Sequence, residues 1–179
     1  MNHCLSRRAF LDSILAVGIG SAIHPVLTRA ASPGKRNIKL GFDNFSIRDL
    51  GWKAPQILDY AATLKVDVVF FSDLDVYESL DDDYLVKIKQ QADRLGLELH
   101  AGTGGVCPSS PRFNAKHGTA EEHLANTLHT AQILGSPVAR CYLGSMDDRK
   151  GEGGIYRHIE ELVKVCKSVQ SRAMDAGVK

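Results

Sequence analysis

The feature that most constrains the fold of this chain is a pattern that alternates four times, from Lys35 onward, between short apolar runs and segments of helical periodicity. The second run, at residues 66–71, is continuously apolar, which is typical of a strand covered on both sides. Strands that alternate with helices form a parallel sheet through right-handed crossovers, so the sequence predicts an α/β fold. The predicted strands, each followed by a predicted helix, are residues 38–42, 66–71, 97–100 and 138–143.

The ends of the predicted helices carry capping signals. The acidic run at residues 81–83 opens the second helix, and Gly96 supplies the left-handed residue that ends it. Although such a run suggests a metal site, helix N-termini favour acidic residues, so capping is the better interpretation. The third helix is predicted to begin at Thr119, with Glu122 completing a capping box, and to end before Gly135.

Loop length is concentrated on one side of the predicted sheet. The connections from helix to strand are short, whereas the strand-to-helix connections at residues 102–118 and 144–154 are long. Functional sites of βα proteins are built at the C-terminal ends of the strands. We therefore expect the function to lie at these loops.

The last residues, 176–179, repeat a pattern seen before two earlier predicted strands, in which a helix ends at a glycine and a strand begins directly after it. A fifth strand is therefore predicted to begin there. Because the unpaired edge of a buried strand is rarely left exposed, we expect the sequence to be truncated. Residues 32–179 alone are accordingly expected not to give a monodisperse monomer that unfolds cooperatively.

The N-terminal segment has the organisation of an export signal. Residues 6–11, S-R-R-A-F-L, precede a short apolar stretch at 14–20, and a small-x-small run follows at 28–30. The apolar stretch is shorter than the roughly 20 residues that cross a bilayer, so a permanent membrane span is not expected. The segment resembles a bacterial twin-arginine signal, a route that exports folded proteins. We expect residues 1–31 to be the signal peptide, residues 32–179 the mature chain, and the protein to be periplasmic or extracytoplasmic.

Charge and cysteine content exclude two classes of protein. The formal net charge is +1 and becomes slightly negative once the predicted signal is set aside, so the sequence offers no basic surface for nucleic acid. None of the four cysteines, at positions 4, 107, 141 and 166, forms a C-x-x-C pair, which excludes a zinc ribbon. We interpret the three cysteines beyond the signal as small buried residues, with at least one free thiol.

Two segments carry a family resemblance: residues 40–48, L-G-F-D-N-F-S-I-R, and residues 99–105, L-H-A-G-T-G-G. Together with the export signal, they are similar to the xylose-isomerase-like sugar phosphate isomerase/epimerase superfamily. The resemblance implies a (β/α)8 TIM barrel, of which this chain contains about the first four βα units.

This resemblance also implies a function for the full-length protein. The expected activity is that of a metal-dependent sugar or sugar phosphate isomerase or epimerase, which transfers a proton next to a carbonyl of a small carbohydrate. The expected cofactor is a divalent metal, Mn, Mg or Zn. The family's metal ligands and its catalytic glutamates lie on strands five to eight, so none of them is assigned to this chain.

Polar residues at the predicted strand ends are the candidates for binding a sugar. Asp43 shares a face with Gly41, opposite apolar neighbours, and either holds a sugar hydroxyl or forms an Asp-Asn turn. Asp73 occupies the equivalent place after the second strand and either binds substrate or caps the loop. His100 is predicted to end the third strand beside glycines, as a ligand for a hydroxyl or a metal; the alternative is a satisfied core histidine.

Arg140 and Tyr142 are two residues apart in the fourth strand and therefore share a face, with Cys141 on the opposite one. A guanidinium inside a barrel is costly unless it is paired. Arg140 therefore either pairs with a carboxylate of the protein, such as Asp43 or Asp73, or binds an anionic group of the substrate. Tyr142 is expected on the same substrate-binding face. Three further histidines lie within predicted helices and are expected at the surface: His123, His129 and His158.

Two other functions fit the sequence poorly. The apurinic endonucleases, a branch of the same fold, share the His-x-Gly phrase of residues 100–102, but they need a histidine where Asp73 stands and a glutamate after the fourth strand. The second function is nucleotide binding through a G-x-G-x-x-G motif. The run that starts at Gly102 lacks the third glycine of that motif, because Cys107 occupies its position. The alternative that remains is a non-catalytic exported carbohydrate-binding protein on a TIM-barrel scaffold, since fold alone does not fix function.

Overall fold

The computed structural model describes residues 38–150 and 152–179, so the predicted signal peptide lies outside the described residues. Four strands form one sheet in the order β1-β2-β3-β4, and each neighbouring pair is parallel. The predicted α/β architecture of four βα units is confirmed. The strands are β1 (Gly41–Asp43), β2 (Val68–Phe71), β3 (Glu98–Gly105) and β4 (Ala139–Tyr142). The helices are α1 (Ala54–Leu64), α2 (Asp82–Leu95), α3 (Ala120–Leu134), α4 (Gly154–Ser168) and α5 (Gln170–Asp175).

Helix boundaries follow the capping signals of the sequence. Thr119 and Glu122 form the predicted capping box at the start of α3, because each side chain bonds the backbone N–H of the other residue. Gly96 and Gly135 end α2 and α3 in the left-handed conformation, with φ of 70° and 67°. The acidic run 81–83 lies at the first turn of α2, as the capping interpretation requires.

The alternation of each strand decides which side chains enter the core. Val69 and Phe71 of β2 are fully buried beneath α1 and α2, whereas Phe70 between them is half-buried on the opposite face. Leu99 of β3 repeats this arrangement, with His100 on the opposite face. Each such apolar side chain contributes about 1.5–3 kcal/mol when fully buried. The sheet therefore has one face packed against helices and one open face, which carries the polar residues.

β3 is longer than the sequence predicted. It continues to Gly105 instead of ending at His100, so the start of the predicted loop 102–118 belongs to the strand. The prediction that His100 ends this strand is therefore wrong, since it lies near the middle. β1, β2 and β4 are shorter than predicted, and the short helix α5 was not predicted.

The extension of β3 has a physical cause at Gly102. Glycine is typical of loops, but here residues beyond His100 pair with β4, with Gly102 opposite Arg140. A Cβ atom at Gly102 would lie 2.9 Å from both the carbonyl oxygen of Arg140 and the ring of Phe70. The missing side chain therefore allows the strands to approach each other closely.

The last residues lie alongside β4. The N–H of Lys179 donates to the carbonyl of Pro137 at 3.1 Å, and the N–H of Ala139 donates to the carbonyl of Lys179 at 2.8 Å. This is the alternation of a parallel pair of strands. Val178 is buried, and Gly177 before it has a φ of 65°. Residues 176–179 form no strand in the structure, so the beginning of a fifth strand stays a prediction.

Candidate functional site

Several predicted site residues form one row across the open face of the sheet. Asp43 of β1 is in register with Phe70 of β2, and Phe70 is in register with His100 of β3. Arg140 of β4 reaches back over this row, because its guanidinium lies 4.8 Å from the centre of the Phe70 ring. The parallel sheet thus brings an acid, an imidazole and a guanidinium from three strands to one surface.

Arg140 is paired with Asp43, one of the two carboxylates that the sequence left open. Nη2 of Arg140 lies 3.4 Å from Oδ2 of Asp43, and the side chains are 38% and 35% exposed. The guanidinium also lies 5.7 Å from the centre of the Tyr142 ring, so two aromatic rings flank it. Because the pair is partly exposed, a ligand on this face can reach both charges.

Asp43 also has the turn-forming role that was the alternative to sugar binding. It precedes a 3₁₀ helix, Asn44–Leu50, and its Oδ1 accepts the backbone N–H of Phe45 at 2.9 Å. The hydroxyl of Ser72 donates to the same oxygen at 2.6 Å. One oxygen of Asp43 therefore fixes the loop, while the other faces Arg140.

His100 lies within β3 on the open face of the sheet, so it is not a core histidine, and its role as a ligand stays a prediction. Its Nε2 lies 2.8 Å from Oε1 of Glu98, two residues earlier on the same face, and its side chain is 31% exposed. Hydrogen bonds from Lys39 and from His100 lower the pKa of Glu98. His100 therefore lies within the polar row and is held there by an ionised carboxylate.

Asp73 has the capping role that was weighed against substrate binding. It is exposed, and its Oδ1 accepts the backbone N–H of Asp75 at 2.7 Å, at the start of the 3₁₀ helix Leu74–Val76. Within the described residues, Arg140 pairs with Asp43, and Asp73 forms no ion pair with it. Asp73 instead lines a cleft at the C-terminal ends of the strands.

That cleft, which we call the rim cleft, lies between the loops that follow β2 and β3. Its volume is about 190 Å³. Tyr142 is the one predicted site residue besides Asp73 that lines it. The residues around it are Asp73, Asp75, Thr103, Gly104, Gly105, Arg112, Asn114, His117, His123 and Tyr142.

An ion-pair network closes one side of the rim cleft. Oδ1 of Asp75 lies 2.6 Å from Nζ of Lys116 and 3.0 Å from Nε2 of His117. Burial raises the pKa of Asp75, but the hydrogen bonds and charges of Lys116 and His117 outweigh it and lower that pKa. Asp75 is therefore ionised, and its negative charge is balanced by Lys116 and His117.

His123 was predicted at the surface, and this prediction is wrong. Its side chain is only 4% exposed, and its Nε2 lies 2.6 Å from Oγ1 of Thr103, the buried hydroxyl of β3. Burial, followed by the charge of His117, lowers the pKa of His123, so the neutral imidazole is favoured. The signal was present in the sequence, since His123 follows Ala120 by three residues and precedes Thr127 by four on the buried side of α3.

His158 of α4 is also buried, again against the prediction, whereas His129 is exposed as predicted. Nδ1 of His158 lies 2.8 Å from the hydroxyl of Ser109, and Nε2 lies 3.7 Å from a carboxylate oxygen of Asp148. The backbone N–H of Ser145 holds the pKa of Asp148 below its usual range. These contacts connect α4 to the long loops after β3 and β4. Because the three residues are far apart in sequence, their spacing could not have predicted that His158 is buried.

The cysteines follow the prediction in part. All three in the described chain are free, which confirms the predicted free thiol, and Cys107 is buried. Cys141 is half-buried, and desolvation, with a smaller effect of Cys166, raises its pKa to about 11. Cys166 is exposed, so the prediction of burial is wrong for that residue.

The described residues do not fit the expected metal. Across residues 38–150 and 152–179, no group of three or more His, Cys, Asp and Glu side chains is arranged to hold an ion. In the same ranges, no helix has both the length and the hydropathy needed to cross a membrane.

Comparison with known proteins supports the fold. No protein-family model matches the sequence, and no curated protein matches it. A D-psicose 3-epimerase crystallised in the presence of D-fructose is 18% identical, with a TM-score of 0.60 over 79% of this chain and 50% of that chain. The D-psicose 3-epimerase of Clostridium cellulolyticum H10 with D-tagatose is 16% identical, with a TM-score of 0.51 over the same shares.

These matches show that the chain has the fold of a partial TIM barrel. The chain spans about half the length of the solved structures that it matches. In such a barrel the open face of the sheet would be the interior, and the rim cleft would lie at the C-terminal ends of the strands.

Proposed function

We propose that the chain is the N-terminal half of a xylose-isomerase-like barrel whose whole protein isomerises or epimerises a sugar. The observation that carries this proposal is the Arg140–Asp43 pair, with His100 beside it, on the open strand face. The interior of a TIM barrel is packed with apolar side chains, so charged groups there have no packing purpose. The likeness to D-psicose 3-epimerases in fold supports the same proposal.

In this proposal the described half supplies binding and orientation. Arg140 can donate hydrogen bonds to a carbonyl or hydroxyl oxygen of the sugar, and the Asp43 oxygen that faces Arg140 can also accept from a hydroxyl. The reaction would transfer a proton at the carbon next to the carbonyl. The groups that move that proton and the ligands of the divalent metal are proposed to lie on strands five to eight of the whole protein.

We also propose that the protein works outside the cytoplasm. The support is the S-R-R-A-F-L motif and the apolar stretch after it. Export by this route would deliver the barrel already folded.

The experiment is conversion of a free ketohexose by the whole protein, followed by chromatography of the products. The variant Arg140→Met should raise KM by about 10- to 100-fold, because a charge-assisted hydrogen bond is worth roughly 1.5–3 kcal/mol. Arg94→Met on the exposed side of α2 is the control and should leave KM unchanged. A protein that binds the sugar but yields no isomer would instead be the non-catalytic carbohydrate-binding protein.

A further inference from the structure

We infer that the rim cleft is a separate binding site for an uncharged, hydroxyl-bearing part of a ligand, centred on Nδ1 of His123. This inference rests on the proposed function for the identity of the ligand as a sugar. The cleft is lined by the C-terminal ends of β3 and β4, the loops after β2 and β3, and α3, and Tyr142, beside Arg140, links it to the polar row on the open strand face.

The first observation is an unsatisfied buried atom. His123 is 4% exposed and lines the rim cleft, and its Nε2 is engaged by Thr103. Its Nδ1 is buried and has no hydrogen-bond partner in the part of the chain that the structure describes. A buried polar atom without a partner costs free energy, so a ligand oxygen that bonds Nδ1 would gain more there than at an exposed group.

The second observation is the balance of charge around the cleft. The carboxylate of Asp75 is already paired with Lys116 and His117. The two charges that remain in the lining are opposite, Asp73 and Arg112. A phosphate or carboxylate group would meet both the cation and the anion, so the cleft does not favour an anionic ligand.

The third observation is the mixture of donors and acceptors. Asn114 and Arg112 offer donors, Asp73 offers an acceptor, and Tyr142 offers a hydroxyl and a ring surface. Sugar hydroxyls donate and accept at once, which suits such a lining. A Cβ at Gly104 would lie 3.5 Å from the Tyr142 hydroxyl, so the absence of a side chain at Gly104 leaves that hydroxyl accessible from the cleft.

The size of the cleft fits part of a small ligand. Its volume is about 190 Å³. Pockets for drug-sized ligands begin at about 300 Å³. The cleft is therefore expected to hold one end of a monosaccharide.

The test is calorimetric titration of the whole protein with D-fructose and with D-fructose 6-phosphate. His123→Leu should weaken D-fructose binding about tenfold, since it removes a buried hydrogen-bonding atom. The matched control is His129→Leu, an exposed histidine of the same helix, which should leave binding unchanged. A second variant, Asn114→Ala, tests the cleft if His123→Leu fails to fold, because Asn114 is exposed and lies outside the core. This variant should weaken D-fructose binding by about threefold.

Two results would overturn the inference. One is D-fructose binding that stays within about twofold in both His123→Leu and Asn114→Ala. The other is binding of the 6-phosphate that is more than about tenfold tighter and loses this advantage in Arg112→Met, which would make the cleft an anion site. If the wild-type protein binds D-fructose through the cleft but converts none of it, the proposed isomerase function fails and the binding site stands.

Discussion

Replacement of Gly102 by alanine tests how the strands position the polar row. A Cβ at this residue would lie 2.9 Å from the carbonyl oxygen of Arg140 and from the Phe70 ring, whereas ordinary contacts begin near 3.4 Å. β3 and β4 would have to separate by about half an ångström, and such overpacking costs about 1–3 kcal/mol. In a protein of barrel size, this corresponds to a fall in Tm of about 2–12 °C.

Gly104→Ala is the matched control, because it lies on the same strand and the same face. The nearest atom to its Cβ would be the Tyr142 hydroxyl at 3.5 Å, an ordinary contact, and neither glycine has a positive φ. Urea and thermal unfolding of both variants in the whole protein measure the difference. Equal midpoints for Gly102→Ala and Gly104→Ala would refute the close approach of β3 and β4 at this residue.

Three further predictions concern stability, export and folding. His123 has a folded pKa below its ordinary value of 6.5, so the unfolded chain takes up the proton first, and stability should fall as pH drops below about 6.5. His123→Gln should lose less stability between about pH 7.5 and 5.5 than the wild type in urea titrations, and an equal loss in the two proteins would contradict this. Lysine at both Arg7 and Arg8 should abolish processing in a periplasmic fractionation; normal processing would contradict a twin-arginine signal. Residues 32–179 expressed alone should aggregate or associate on size-exclusion chromatography, and a monodisperse monomer with cooperative unfolding would contradict this.

Local rules predicted much of the fold. The capping box of Thr119 and Glu122 and the left-handed Gly96 depend on neighbouring residues alone, and the structure has them where the sequence placed them. The end of β3 could not be predicted in this way. Glycine propensity favours a loop at Gly102, but the pairing with β4, which lies more than thirty residues later, keeps the strand extended.

The candidate site was predicted in part for the same reason. Alternation placed Arg140 on the inner face, but the choice of Asp43 over Asp73 depends on how four strands align. The burial of His158 depends on a tertiary contact with the loop after β3, which periodicity within a helix does not contain, whereas that of His123 follows the buried side of α3. Sequence patterns therefore located the open strand face, whereas the rim cleft became visible only in three dimensions.

The central claim is that the open strand face belongs to a barrel that moves a proton next to a sugar carbonyl. The most direct measurement is NMR of a free ketohexose incubated with the whole protein in deuterium oxide. Deuterium is expected at the carbon next to the carbonyl, at a rate that falls in Arg140→Met and is unchanged in Arg94→Met. Sugar that binds and remains fully protonated would refute proton transfer in this barrel.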